Sequence, residues 1–202
     1  MIVDPGTAKQ ADIYKLMIGG IVPRPIAFVS TMSPEGALNL APFSFFNAIG
    51  SAPPMICFTV GVRARPDPSK DTLRNIVRTG EFVVNLVSEE IAEHMNITSG
   101  EYPPEVDEFA LSRLTPIPSD LVKPPRVKES PFQMECKRYL TVEVSALPGG
   151  GTLVLGEVLR FHVDDAIVDG FKIDPDKLRA IGRMGGMSYT RTRDRFDMIR
   201  PK

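Results

Sequence analysis

IAFVSTMSPEGALNLAPFSFFN, residues 26–47, carries most of what the chain says about its architecture. Ile26 to Thr31 is an apolar run with the composition of a buried strand. Ser33-Pro34-Glu35-Gly36 is turn chemistry. Leu38 to Ala41 begins a second strand, so residues 25–41 read as a hairpin. Pro42 has no N–H to give to a ladder, which predicts a bend or a sheet edge there. Ser44 to Ile49 is apolar with polar interruptions, and Ala52-Pro53-Pro54 ends it.

The same grammar recurs on either side. Upstream, Val22-Pro23-Arg24-Pro25 forces extended backbone. Downstream, Met55 to Val60 reads as a third strand. Phe132 to Leu147 alternates Leu140, Val142, Val144 and Ala146 with polar residues, the pattern of a half-buried strand. Gly149-Gly150-Gly151 turns it, and Thr152 to Val163 returns, with Gly156 marking a bulge. Helical patterns are short: Ala11 to Met17, a run after Lys70, Ser88 to about Ile97, and one opening at Asp174. Sequential hairpins with short helices argue an antiparallel barrel or sandwich, not a doubly wound sheet. No repeat or linker divides residues 1–202, which are expected to form one domain. No Gly-x-Gly-x-x-Gly follows a strand, so a Rossmann nucleotide site is not expected.

Composition narrows the function classes. The 202 residues are 43% hydrophobic with a formal net charge of −1, an ordinary globular balance. No basic run with interleaved aromatics points to nucleic acid, and no apolar stretch is long enough to cross a bilayer. The N-terminal MIVDPGTAKQADIYKLM lacks the basic region and apolar core of a signal peptide, so a cytoplasmic location is expected. Cys57 and Cys136 read as buried thiols, and His94 and His162 as structural residues. Neither a metal site nor a Ser/His/Asp arrangement is expected.

Three segments have the composition of ligand contacts. In PSKDTLRNIVRTGEFVVNL, residues 68–86, Ser69 or Asp71 can cap a helix whose apolar positions are Leu73, Ile76 and Val77. Gly80 stops the helix and Phe82 to Val87 follows as a strand. With Lys70 beside it and Arg74 one turn on, that N-terminus can seat a phosphate, although an ordinary capped surface helix explains the same residues. In Asn39 to Asn47, bent backbone beside Ser44, Asn47 and the Phe cluster suits a flat heteroaromatic ring, and equally a kinked core strand. Ser30 and Thr31 end the preceding strand and can face the same place. Arg183-Met184-Gly185-Gly186-Met187-Ser188-Tyr189 lets backbone approach a ligand, with a plain loop as the alternative.

Taken in order, these pieces resemble the flavin reductase-like family, the FMN-binding split barrels. The resemblance is carried by Arg24 to Thr31, Asn39 to Asn47, Lys70 to Ile76 and Gly80 to Asn85. It continues through Ala92 to Asn96, Asp107-Glu108-Phe109, Glu129-Ser130-Pro131 and Ile181 to Gly186, over nearly the whole chain. It implies a mainly β fold, an antiparallel split β-barrel of Greek-key type with a few short peripheral helices. It also implies a homodimer with FMN near the interface. Lys70 and Thr72 would contact the phosphate, with Asp71 capping or pairing with a basic residue. Ser30, Thr31, Asn39, Ala41, Pro42, Ser44, Phe45, Phe46 and Asn47 would line the ring and ribityl chain, and Arg183 and Tyr189 would approach from one side. NADH or NADPH would deliver hydride to the flavin, with no catalytic side chain required. Thr98 to Phe109 is long and proline-bearing enough to act as a lid over the nicotinamide. A flavin reductase, with or without a partner monooxygenase, and a flavoredoxin-type electron carrier would both use this site. A flavin-free structural protein and the pyridoxamine-phosphate oxidase-like branch match these motifs less well.

Overall fold

The computed structural model describes residues 1–62 and 70–201. Most of the expected loop from Gly61 to Pro68, and Ser69 as a helix cap, lie outside the described residues. Helix α1 (Gln10–Gly20) precedes strands β1 (Ala27–Met32), β2 (Leu38–Phe43), β3 (Phe46–Ser51) and β4 (Pro54–Gly61). Helix α2 (Asp71–Thr79), β5 (Glu81–Leu86), a short 3-10 turn, α3 (Ala92–Ile97) and α4 (Glu108–Ser112) follow. Two-residue strands β6 (Pro116–Ile117) and β7 (Arg126–Val127) lead to the long hairpin of β8 (Phe132–Ser145) and β9 (Gly151–Val163). The chain then forms β10 (Val168–Asp169), β11 (Lys172–Ile173), α5 (Pro175–Leu178), β12 (Ile181–Arg183) and β13 (Tyr189–Arg191).

One antiparallel sheet runs in the order β2-β1-β5-β8-β9-β4-β3. Its edge strands, β2 and β3, are consecutive and joined by Ser44 and Phe45 alone. The sheet therefore curls back on itself at that corner, where the Phe45 carbonyl accepts from the Thr59 N–H at 2.9 Å. This is the expected split barrel, mainly β with short helices outside it. Pro42 sits on the edge strand β2, where a missing N–H is tolerated. The same edge is covered by α4, whose Glu108 accepts from the Leu40 N–H at 3.2 Å.

Alternation along β1 sorts two cores. Ala27 and Val29 join Phe43, Phe58, Phe82, Val84 and Val154 in one cluster. There Phe58 meets Phe43 in a tilted contact at 5.2 Å and Phe82 edge-on at 5.6 Å. Phe28 faces the other way and packs with Leu40, Ile91, Met95, Phe109 and Ile181. Both faces of β1 are thus buried, as its unbroken apolar run requires.

Several local readings change. Helix α1 runs through Gly19 and Gly20. The segment after Arg183 is the turn of a β12–β13 hairpin, not an open loop. Cys57 is half-buried, whereas Cys136 is buried and burial pushes its thiol pKa up. The bulge expected at Gly156 falls at that step but on the opposite strand: Arg138 pairs with Gly156 and Leu140 with Leu155, so the extra residue there is Tyr139 on β8. Gly156 is small for another reason, because a Cβ there would lie 2.3 Å from the Phe82 ring. The expected half-burial of β8 fails at its far end, where Leu140, Val142 and Val144 are 50%, 41% and 72% exposed.

Gly156→Val should overpack against Phe82 and destabilise the chain by about 1–3 kcal/mol. Circular-dichroism melting should show a lower Tm, part of which returns when Phe82→Leu is added. An unchanged Tm would mean that the ring does not occupy that space.

Candidate functional site

Three adjoining hollows run along the closing edge of the barrel. The first, about 120 Å³, is lined by Asn39, Ala41, Pro42, Lys70, Asp71, Thr72 and residues 98–101. The second, about 190 Å³, shares Pro42 and Ser99 with it and adds Tyr14, Arg24, Ser44, Arg183 and Tyr189. The third, about 350 Å³, shares Arg24 and Ser44 with the second and ends on Phe45, Phe46 and Asn47. The closing corner of the sheet thus forms the wall of a single cleft.

At the first hollow, Lys70 is the N-cap residue of α2 and makes no side-chain cap bond. Its ammonium lies over the Phe43 ring at 5.4 Å. Asp71 pairs with Arg74, one of the two roles expected of it. Behind them lies a buried polar lattice. Asn39 Nδ2 donates to Thr31 Oγ1 at 3.2 Å and to Thr72 Oγ1 at 2.9 Å, while Asn75 Nδ2 donates to Thr31 at 3.0 Å. All four residues are buried and bonded to one another, so they lock the first turn of α2 onto the β1–β2 hairpin. Glu108 borders the same hollow. Burial pushes its carboxyl up, with the Asp71 charge adding to the effect and the Leu40 N–H opposing it.

In the second hollow, Arg183 stacks over Tyr189 at 4.3 Å and donates to the Gly186 carbonyl at 2.7 Å. Tyr189 reaches Asn96 with its hydroxyl at 3.2 Å. Arg24, missed as a site residue, spans the second and third hollows. Its guanidinium lies 5.9 Å from the Phe45 ring centre. In the sequence it reads as the residue between two prolines at the start of the first resembling segment, and its close hydrogen-bond partners are main-chain carbonyls, which leave no pattern to find.

Every expected site residue borders this cleft except Ser30 and Thr31, which are fully buried. Ser30 donates to the Pro125 carbonyl at 2.5 Å and accepts from Asn85 Nδ2 at 3.3 Å. Thr31 acts one layer down, through Asn39 and Asn75. Thr72 is 1% exposed and its oxygen is taken by Asn39, so its N–H and O–H are what it has left for a ligand.

Two other clusters lie outside this lining, the first meeting it only at Tyr189. A cavity of about 490 Å³ lies beyond Tyr189, bordered by Glu89, Glu90, Arg179 and Arg191. It is larger than any hollow of the cleft, but most of its charges are paired: Glu89 with Arg179, Arg191 and nearby Arg193, and Glu90 with Arg179. Hydrogen bonding by Arg193 leads in holding the Glu89 carboxyl down at about 2. On the barrel's other side, Asp120, Glu135 and His162 bring three potential ligand atoms within 4.8 Å of one another. There the fully buried Glu135 accepts from the N–H groups of Asp120, Leu121 and Val122 at 2.9, 2.6 and 3.1 Å, and His162 Nε2 lies 2.5 Å from it. That carboxylate pins a loop. His94, by contrast, has a simple partner in the Ser112 carbonyl at 2.7 Å.

The chain is 35% identical to nitrilotriacetate monooxygenase component B from Bacillus cereus, with a TM-score of 0.93 over 98% of each chain. It is 31% identical to the 2-nitrobenzoate 2-nitroreductase NbaA of Pseudomonas fluorescens, with a TM-score of 0.90 over 100% of this chain and 96% of that one. An uncharacterized protein of Aquifex aeolicus is 46% identical over 91% of this chain and 93% of its own. The model of the flavin reductase like domain matches residues 19–174, which take in α2 and the whole closing corner, and the chain belongs to that family.

Proposed function

We propose that this chain binds FMN in the cleft and passes hydride from NADH or NADPH to flavin, and that the reduced flavin serves a separate monooxygenase. The observation that carries the reading is the continuity of the cleft: it joins a lysine at a helix N-terminus to an aromatic, bent-backbone corner. The residues fit the group at both ends. Lys70 and the N–H groups of the first turn of α2 offer charge and donors to a phosphate. Pro42, Ser44, Phe45, Phe46 and Asn47 offer an aromatic and polar wall to the ring. The likeness to a monooxygenase component supports the partner.

The flavin supplies the two-electron chemistry, so no side chain has to act as nucleophile or metal ligand. The chain's work is to fix the ring through the corner, hold the phosphate at Lys70, and keep water from the reacting face. In this reading Thr98 to Phe109, whose residues 98–101 and 108 border the Lys70 end, serves as a lid over the nicotinamide. A second copy completes the site in this reading. The exposed Leu140, Val142 and Val144 face of β8 is the apolar surface that such a dimer would bury. The likeness to a nitroreductase favours a second reading, in which the same cleft passes electrons to a small nitroaromatic compound.

Lys70→Glu should weaken FMN binding at least about tenfold, or about 1.4 kcal/mol, by placing a like charge beside the phosphate. Unchanged quenching of flavin fluorescence would remove Lys70 from the site. Glu108→Gln should tighten binding about threefold, since a nearby like charge is lost. The sign with pH follows: a raised carboxyl is neutral at low pH, so native affinity gains on the Gln variant as pH falls through the Glu108 pKa. Parallel pH profiles of the two proteins would refute the proximity. Steady-state oxidation of NADH or NADPH with free FMN should be catalytic, whereas no turnover with either nucleotide would point to a flavoredoxin-type carrier.

A further inference from the structure

Among the described residues, Arg24 is a buried cation with no carboxylate partner. It is 5% exposed. Its Nη1 donates to the carbonyls of Ile18 and Ile21, both at 2.7 Å, and its Nη2 to the Met184 carbonyl at 3.0 Å. Its Nε approaches Ser44 Oγ at 3.5 Å. Every one of these acceptors is neutral, and among the described residues no carboxylate pairs with it. A guanidinium cannot shed its proton to escape burial. Lone buried charges are costly and are ordinarily paired.

The surroundings sharpen the point. The second hollow is lined by Arg24 and Arg183, with Tyr14 and Tyr189 as its other titratable side chains and no Asp or Glu among the described lining residues. Burial leads in disfavouring the Arg24 charge and the neighbouring Arg183 adds to it, against an opposing contribution from Tyr14. The first hollow is the opposite, with Asp71, Glu101 and Glu108 around Lys70. The cleft is thus polarised along its length. Its basic part lies against Ser44, where Arg24 borders the ring wall on both sides.

We infer that Arg24, assisted by Arg183, is the electrostatic partner of the reduced flavin ring and sets the reduction potential of the site. This rests on the FMN reading above. When a hydride leaves a nicotinamide and adds at N5 of the ring, the nicotinamide is oxidised. The ring gains two electrons and one proton, and so one negative charge, centred on its N1 side. Near an unpaired buried cation that charge need not be quenched by a second proton. Arg24 therefore binds the reduced state more strongly than the oxidised one, and its structural bonds to Ile18, Ile21 and Met184 hold it there.

The test is a spectroelectrochemical titration of the FMN-loaded protein with dithionite as reductant, run alongside the dissociation constant of oxidised FMN. The native midpoint should fall by about 30 mV per pH unit around neutrality, the slope for one proton per two electrons. A slope of about 59 mV, two protons, would overturn the inference. Arg183→Gln, at a less buried position, should cut the preference for reduced over oxidised FMN about threefold and steepen the slope. Arg24→Gln should cut it about tenfold, or about 30 mV, and Arg24→Lys should restore most of the loss. Equal preference ratios in native, Arg183→Gln and Arg24→Gln proteins would overturn it as well. Failure to bind FMN at all would strike the functional reading first, and this inference with it.

Discussion

One side-chain amide ties the helix at the first hollow to the sheet behind it. Asn39 Nδ2 gives one hydrogen to Thr31 on β1 and the other to Thr72 in the first turn of α2. Buried donors without partners are expensive, so this lattice specifies one position of the helix rather than merely stabilising it. Lys70 and the helix N-terminus are placed by it, and the distance from them to the closing corner of the sheet is fixed by strand β2. The phosphate end and the ring end are therefore parts of one rigid frame.

The same economy governs the closing edge. A barrel that closes through a two-residue connection leaves edge N–H groups and a bent backbone at the join. Here Glu108 occupies one such N–H, at Leu40. Arg24 binds the last carbonyls of α1 and the β12–β13 turn to the other side. Structural duties thus place a carboxylate at one end of the cleft and a guanidinium at the other. The electrostatics of the proposed site follow from how the fold closes its edge.

Much of this was legible from residues alone. The hairpin at residues 26–41, Pro42 as an edge residue, Gly80 as a helix stop with a φ of 76°, and the Asp174 cap all obey local rules. Lys70 and Ser44, which border the cleft, lie at breaks in regular structure that local rules can find. What escaped was long-range. Ser30 looks like a strand-end hydroxyl, yet it is taken by Pro125, far along the chain. Gly156 looks like a bulge, yet its size answers to Phe82. Arg24 and Glu135 are charged residues whose partners are mostly main-chain groups brought in by the fold, and no spacing announces such partners. The exposed end of β8 reads as half-buried because an alternating strand looks the same whether its apolar face meets its own core or another molecule.

The most direct test of the central claim is a titration of the purified protein with FMN, followed by flavin fluorescence, and then anaerobic addition of NADH and of NADPH. The account predicts saturable quenching and bleaching of the bound flavin by at least one of the two nucleotides. Flavin fluorescence that stays constant at every protein concentration would contradict it.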